Sequence, residues 1–472
     1  MSCRRLSSLV VGLALFGAVF GEPRPSHAEA LTAQQQRAFD IYKELVEIDT
    51  TTATGDTARA AEAMGARLRA GGFSDTDVHV FKPAPRKGNL VARLRGSGAR
   101  KPILLVAHID VVPALREDWS VDPFKLTEKD GYYYARGSGD DKFMAAAFVA
   151  NLIRYRQEGY KPDRDIIIAL ETDEEILDAD GLGIQWLIKN HRDLIDAEFA
   201  LNEGGGVGLK DGKAIRNSIQ TSEKVSLSYQ LEVKNKGGHS SLPTRDNAIY
   251  HLAEGLARLA KFDFPVKLNE TTRVYFERAA QFENDSNAAD MRALLGARPD
   301  PAAVDRLSAS PVFNAQLRTT CVATLLEGGH AVNALPQMAR AKVNCRILPG
   351  EPVDEVKATL VKVLADEQIS VTQIGQPVVS PPSPLNKEIL AAIGKLSGEF
   401  WPGAVIMPVM SSGATDGSYL RNAGIPTYGH SGLAGDINDV RAHGRDERVL
   451  VKSFFEGDEY LYRLVKGLAG GS

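Results

Sequence analysis

The run Ile103-Leu104-Leu105-Val106-Ala107 is apolar at every position and ends in His108-Ile109-Asp110. Such a run reads as a strand buried on both faces, as in a parallel sheet. Open α/β sheets do their chemistry just beyond the carboxyl ends of these strands, and His108 falls there. Asp110, one strand period on, faces the same way and is set to hold the second ring nitrogen of a metal-bound imidazole. Alone, the pair reads as well as a surface histidine and a turn acid. The pattern recurs, however. The apolar run 166–170 ends in Glu171-Thr172-Asp173-Glu174-Glu175, and Phe199-Ala200-Leu201 ends in Asn202-Glu203-Gly204. Arg136-Gly137-Ser138-Gly139-Asp140-Asp141-Lys142 leads into a nearly all-apolar helix, and Arg441-Ala442-His443-Gly444-Arg445-Asp446-Glu447 lies far downstream.

His108, Asp140, Glu175, Glu203 and His443 are therefore candidate metal ligands. Acids gathered at strand ends repel one another and are costly to desolvate unless a cation neutralises them. Nitrogen and oxygen donors in this mixture suit zinc, or less often cobalt or manganese, without thiolates. Two metals sharing Asp140 would use all five ligands and leave an open position for a bridging water. Such a water loses its proton near neutral pH and becomes a good nucleophile. Glu174, beside Glu175 but off the metals, is placed to be the general base. A Glu-Glu pair in isolation is a solvated loop; here it terminates a buried strand.

The elements that must position these residues fit an α/β protein. At 472 residues the chain exceeds one hydrophobic core, and its 43% apolar and 25% charged content is that of a soluble globular protein. A net charge of −4 favours neither nucleic acid nor an anionic membrane. Arg4 and Arg5 precede an apolar stretch too short to span a bilayer, and Ala28-Glu29-Ala30 offers a cleavage site. Residues 1–30 thus read as a secretory signal peptide, the mature chain being periplasmic or secreted in a bacterium. Helices are expected over 34–49 and 57–71, with strands at 77–81 and 89–94. From about residue 224 the pattern alternates, as in antiparallel strands with one wet face, and a β-α-β-β-α-β unit is expected over 223–378. It would be inserted into a catalytic domain made of 31–222 and 379–472. Residues 280–315 read as a polar, irregular insertion of unassigned purpose. If the strands around 319–326 and 339–348 form a hairpin, Cys321 and Cys345 could face each other and bond in an oxidising compartment.

In order, His108-x-Asp110, Arg136-Gly137-x-x-Asp140-Asp141-Lys142, Asp173-Glu174-Glu175, Asn202-Glu203-Gly204 and His443-x-x-x-Glu447 resemble the motifs of the dinuclear zinc hydrolases. That family includes aminoacylase, carboxypeptidase G, carboxypeptidase S and succinyl-diaminopimelate desuccinylase. The resemblance implies a mostly parallel sheet flanked by helices, with an inserted ferredoxin-like lid. It implies that His108 and Glu203 hold one zinc, Glu175 and His443 the other, with Asp140 bridging across a cis Asp140–Asp141 bond. Glu174 would be base and then proton donor to the leaving amine, while Asp110 holds the second ring nitrogen of His108. His239, in Gly237-Gly238-His239-Ser240-Ser241, would reach the oxyanion, from the other subunit in dimeric relatives. Arg346 and Asn333 look like the grip on a substrate carboxylate, since a planar guanidinium bonds both oxygens. The loop 413–417, with Gly413 and Thr415, would offer backbone N–H groups to it. His430 precedes no glutamate at the family's spacing and is set aside as a ligand. Glu203 at the fourth ligand position and the 280–315 insertion look most like the carboxypeptidase S branch.

The expected activity is hydrolysis of an amide beside a free carboxylate, in a dipeptide, C-terminal peptide bond or N-acyl amino acid, with a possible homodimer through the lid. One alternative is a periplasmic binding protein that keeps the fold without catalysis, against which the five intact ligand positions argue. A serine hydrolase is disfavoured, because no Gly-x-Ser-x-Gly elbow follows a strand.

Overall fold

The computed structural model describes residues 30–176 and 181–471. The expected signal peptide lies outside the described residues except for Ala30. Among the described residues no helix is long and apolar enough to cross a membrane.

Four parallel strands, Ile166–Glu171, Ile103–His108, Phe199–Asn202 and Thr427–Gly429, lie side by side in that order at the centre of a ten-stranded sheet. Every residue of the first three is buried. Their apolar character on both faces has a direct cause. Ile103, Leu105 and Ala107 enter one core, shared with helices Ala33–Val46, Lys142–Gln157 and Val451–Ala469. Leu104 and Val106 enter another on the opposite face, with Ile184, Leu187 and Leu420. Antiparallel strands Val78–Ala84 and Lys87–Leu94 extend one edge. Lys213–Glu223, which the sequence reading passed over, extends the other and pairs in parallel with Val405–Ser411. Local signals set the first helices: Thr32 and Gln35 form a capping box, and the Asp56 side chain accepts from Arg59 N–H.

The expected β-α-β-β-α-β unit is present. Strands Thr320–Gly328, Met338–Ile347, Val225–Lys234 and Ser370–Ile374 form, in that order, an antiparallel sheet. Helices Ala248–Leu259 and Val353–Leu364 close its own core, built on Tyr229, Leu231, Val343 and Leu360. Cys321 lies directly opposite Cys345 in this sheet and is disulfide-bonded to it.

One expectation fails. Residues 280–315 are not irregular but lie in a set of short helices, Glu270–Ala279, Asp285–Leu294, Pro301–Ser308 and Pro311–Leu317. Asn269, Asn284, Asp300 and Ser310 cap them, so each starts within a few residues of the last stop. Helices of seven to ten residues are too short to display a clear 3.6-residue period, which is why the stretch read as loop. Their apolar side chains, among them Phe276, Met291 and Leu317, pack on Met407 of the large sheet.

Candidate metal centre and substrate cavity

The ligand candidates converge because their strands are parallel neighbours. Register pairs His108 with Glu171, and the turn after Glu171 carries Glu174 and Glu175. Glu203 follows the strand on the other side of Ile103–His108. Asp140 arrives from the turn before helix Lys142–Gln157, across a cis Asp140–Asp141 bond, and His443 from the loop before strand Arg448–Leu450. Ligand atoms of His108, Asp140 and Glu203 lie within 4.8 Å of one another, as do those of Asp140, Glu175 and His443, and those of His108, Glu174 and Glu175. Asp140 belongs to both triads: its Oδ1 is 3.1 Å from His108 Nε2 and its Oδ2 is 3.2 Å from His443 Nε2. Glu175 Oε1 is 2.9 Å from His443 Nε2.

Asp110 does more than orient a ring. The nearest partner of His108 Nδ1 is the Asp110 carbonyl at 3.0 Å, with the carboxylate at 3.7 Å. That carboxylate accepts instead from Glu174 N–H at 3.3 Å and Glu175 N–H at 3.1 Å. It therefore fixes the backbone on which both glutamates stand.

The charge balance fits divalent cations. Among the described residues no lysine or arginine pairs with Glu174, Glu175 or Glu203; the ion-pair contacts of the cluster are to imidazoles. Burial pushes Glu203 well above the usual carboxylate range, and the Glu174 charge adds to the effect. Burial raises Glu174 and Glu175 too, reinforced by neighbouring acids against the pull of His108. Burial alone would lower His108, but bonds to Asp110 and Asp140 and the nearby glutamates hold it well above its ordinary value. Contact with Asp140, then Glu175, raises His443 to about 9. Acids that want protons and imidazoles that keep them, in one dry cluster, mark excess negative charge that a metal would relieve.

Glu174 also lines a cavity of about 400 Å³ between the two sheets, with Arg346, Asn344, Ser226, Thr415 and Tyr419. Arg346 Nη1 donates to the Ser412 carbonyl at 3.3 Å. Thr415 Oγ1 donates to buried Glu223 at 2.9 Å, and Glu223 pairs with Arg421. The loop 413–417 is less open than expected: Gly413 N–H donates to Ser411 Oγ at 3.0 Å and Gly417 N–H to Thr415 Oγ1 at 3.2 Å. His239 and Asn333 are outside this cavity. They sit together on a short exposed ribbon, His239 opposite Ala334, with Ser240 N–H donating to the Asn333 carbonyl at 3.0 Å. His239 Nδ1 accepts from Ser241 N–H at 3.1 Å.

Sequence reasoning missed Ser226, Ser228 and Asn344. The alternation in Val225–Lys234 was visible, but its polar face roofs the cavity rather than facing bulk water. The signal was there: Ser226 pairs with Arg346 and Ser228 with Asn344 across the ladder. His430 is buried, its ring bonded to the Ser218 carbonyl and Tyr460 Oη, and it belongs to none of the ligand groups.

A sheet ending in two ligand triads, under an inserted lid, defines a metal-dependent peptidase or amidohydrolase. Residues 104–467 match Peptidase family M20/M25/M40, and the chain belongs to that family. It is 29% identical over 378 residues to a probable carboxypeptidase S-like 2 of Dictyostelium discoideum, covering 78% of this chain and 71% of that one. It is 30% identical over 390 residues to the N-fatty-acyl-amino acid synthase/hydrolase PM20D1 of Xenopus tropicalis, covering 80% and 72%. The M20 family metallo-carboxypeptidase Sso-CP2 of Sulfolobus solfataricus shares the fold with a TM-score of 0.67 at 19% identity, over 91% of this chain and 98% of that one. Human carnosine dipeptidase 1 does so with 0.61 at 15% identity, over 92% and 96%.

Proposed function

We propose that the protein is a secreted or periplasmic two-metal hydrolase that cleaves an amide or peptide bond next to a free carboxylate. Dipeptides, C-terminal peptide bonds and N-acyl amino acids are the substrate classes, in keeping with relatives named as carboxypeptidase S-like and N-fatty-acyl-amino acid synthase/hydrolase. The observation that carries the reading is the pair of triads sharing Asp140, with Glu174 beside them: it lies within reach of His108 and Glu175 but hydrogen-bonds neither imidazole and lines the cavity. His108 and Glu203 would hold one cation and Glu175 and His443 the other, zinc fitting the donors best and cobalt or manganese being tolerated. When bound, the cations supply Lewis acidity, acidifying water and polarising the scissile carbonyl.

The chain's own groups do the rest. Glu174 takes a proton from the attacking water and returns it to the leaving amine. Its raised proton affinity suits both halves of that exchange. Arg346 grips the substrate carboxylate at the cavity wall, with Thr415 and the loop from Gly413 shaping its other side. His239 and Asn333 would serve the oxyanion and carboxylate from the lid of a second copy, which requires a homodimer. A screen of dipeptides and N-acyl amino acids with zinc, cobalt and manganese tests the reading. Glu174→Gln is expected to lower kcat by about 10²–10⁴-fold while metal content stays at the wild-type level. Full activity in that variant, or no turnover across the panel, would refute the assignment.

A further inference from the structure

Glu447 is conspicuous because its carboxylate is fully engaged yet touches no ligand side chain. It is 3% exposed. Its Oε1 accepts from Gly139 N–H at 2.9 Å and Asp140 N–H at 3.2 Å. Its Oε2 accepts from Gly137 N–H at 3.1 Å and Arg136 Nη1 at 2.6 Å. Four donors fill the lone-pair sites of a carboxylate, so Glu447 has nothing left for a metal or a proton transfer. The same Arg136 guanidinium turns its other nitrogen on the second ligand segment. Nη2 donates to the Gly444 carbonyl at 2.9 Å and the His443 carbonyl at 3.3 Å, with the Pro113 carbonyl at 3.5 Å. Trp119 flanks the guanidinium, 5.1 Å from ring centroid to Cζ.

We propose that Arg136 and Glu447 form a clamp of positioning residues that fixes the Asp140 turn against the His443 loop, so that the Asp140–Glu175–His443 triad is set before a cation arrives. This rests on the two-metal reading above. Two features mark it as more than a buried ion pair. First, three of the four bonds to Glu447 come from backbone N–H groups of the turn that carries Asp140, one of them Asp140's own. Second, the His443 loop needs holding. His443 has φ +61° and Asp446 φ +53°, left-handed values unfavourable for a non-glycine residue that persist only where surrounding bonds impose them. The His443 side chain is itself 56% exposed, so packing does not fix it. Strand pairing between Arg448–Leu450 and Tyr132–Tyr134 brings the two segments near; the clamp sets their final register.

The test is titration of metal-free, full-length protein with Co²⁺ alone, read by calorimetry and the cobalt absorption spectrum, with the melting temperature of each metal-free protein recorded. Wild type is expected to take up two Co²⁺. Glu447→Gln, which removes half the acceptor capacity, is expected to weaken the His443 site by about 10–100-fold, the usual effect of losing a ligand's supporting bonds, and the His108 site, which shares only Asp140 with the clamp, by clearly less. Arg136→Lys keeps the charge but lacks the fork that spans both segments, and is expected to do the same; it carries the test should Glu447→Gln not fold. In a His443→Ala background Glu447→Gln is expected to cost the remaining site only the smaller loss that passes through Asp140. A lower melting temperature with both Co²⁺ affinities intact, or an equal loss at both sites, would overturn the clamp. Failure of wild type to take up Co²⁺ would instead remove the two-metal reading, and the clamp with it.

Discussion

Glu174 and Glu175 are adjacent in sequence and differ in partners: Glu175 bonds His443, whereas Glu174 opens into the cavity. That division is what the base-and-ligand assignment needs, and it comes from Asp110 holding both amides. His430 shows the opposite outcome. It lies near the ligand histidine in sequence, yet it is fully buried between the Ser218 carbonyl at 3.0 Å and Tyr460 Oη at 2.8 Å. Burial pushes it down to about 4 from 6.5. The unfolded chain therefore binds a proton that the native state refuses between those values. Stability contributed by the neutral ring is complete above pH 6.5 and is lost as pH falls toward 4, by ~3 kcal/mol in all. Thermal melts from pH 7 to 4 should show this loss, and His430→Gln should flatten it; an unchanged slope would show the ring is not its source. At this scale residue types and spacing made His108, Glu175 and Glu203 legible as candidate ligands, since each follows an apolar run, whereas Asp140 and His443 were legible through their motifs. Types and spacing did not reveal Asp110's grip on the glutamate amides or the closed Gly413 and Gly417 N–H groups, because hydrogen-bond direction is a tertiary property.

Three strands that end in candidate ligands are parallel neighbours, and this is the element-level reason the candidates converge. It was readable because a strand buried on both faces must be apolar throughout, so that its end is abrupt. Strand Lys213–Glu223 was less readable: it starts in solvent and becomes buried only toward Glu223. The lid sheet was legible from its alternation, and so was the facing of Cys321 and Cys345. Their bond closes a segment with a separation of 24 residues. Loop-closure entropy for that length amounts to about 3 kcal/mol. Denaturant unfolding with and without a dithiol should show a loss of that order, and none in Cys321→Ala/Cys345→Ala. An oxidised protein no more stable than the reduced one would contradict the estimate.

For the whole molecule, the proposed roles of His239 and Asn333, on an exposed ribbon outside the cavity, call for a second copy. Strand Thr320–Gly328 is an unpaired edge, and Val322, Leu325 and Leu326 are exposed along it, Leu326 at 70%. Long apolar edges are templates for further strand pairing. Leu326→Glu is therefore expected to shift the protein to monomer in light-scattering chromatography and to cut kcat by at least tenfold, with metal content unchanged. A fully active monomer would show that His239 has no part in turnover. Composition and spacing did not supply this; only the resemblance to dimeric relatives raised a homodimer through the lid.

The order of the five ligand candidates along the chain has a consequence for biosynthesis. His108, Asp140, Glu175 and Glu203 leave the ribosome early, whereas His443 and its anchor Glu447 follow the whole lid. A nascent or prematurely released chain would present acids without the imidazole that completes the second triad. Full charge neutralisation must therefore wait for the last segment of synthesis, and a product stopped short of Glu447 would carry half a centre.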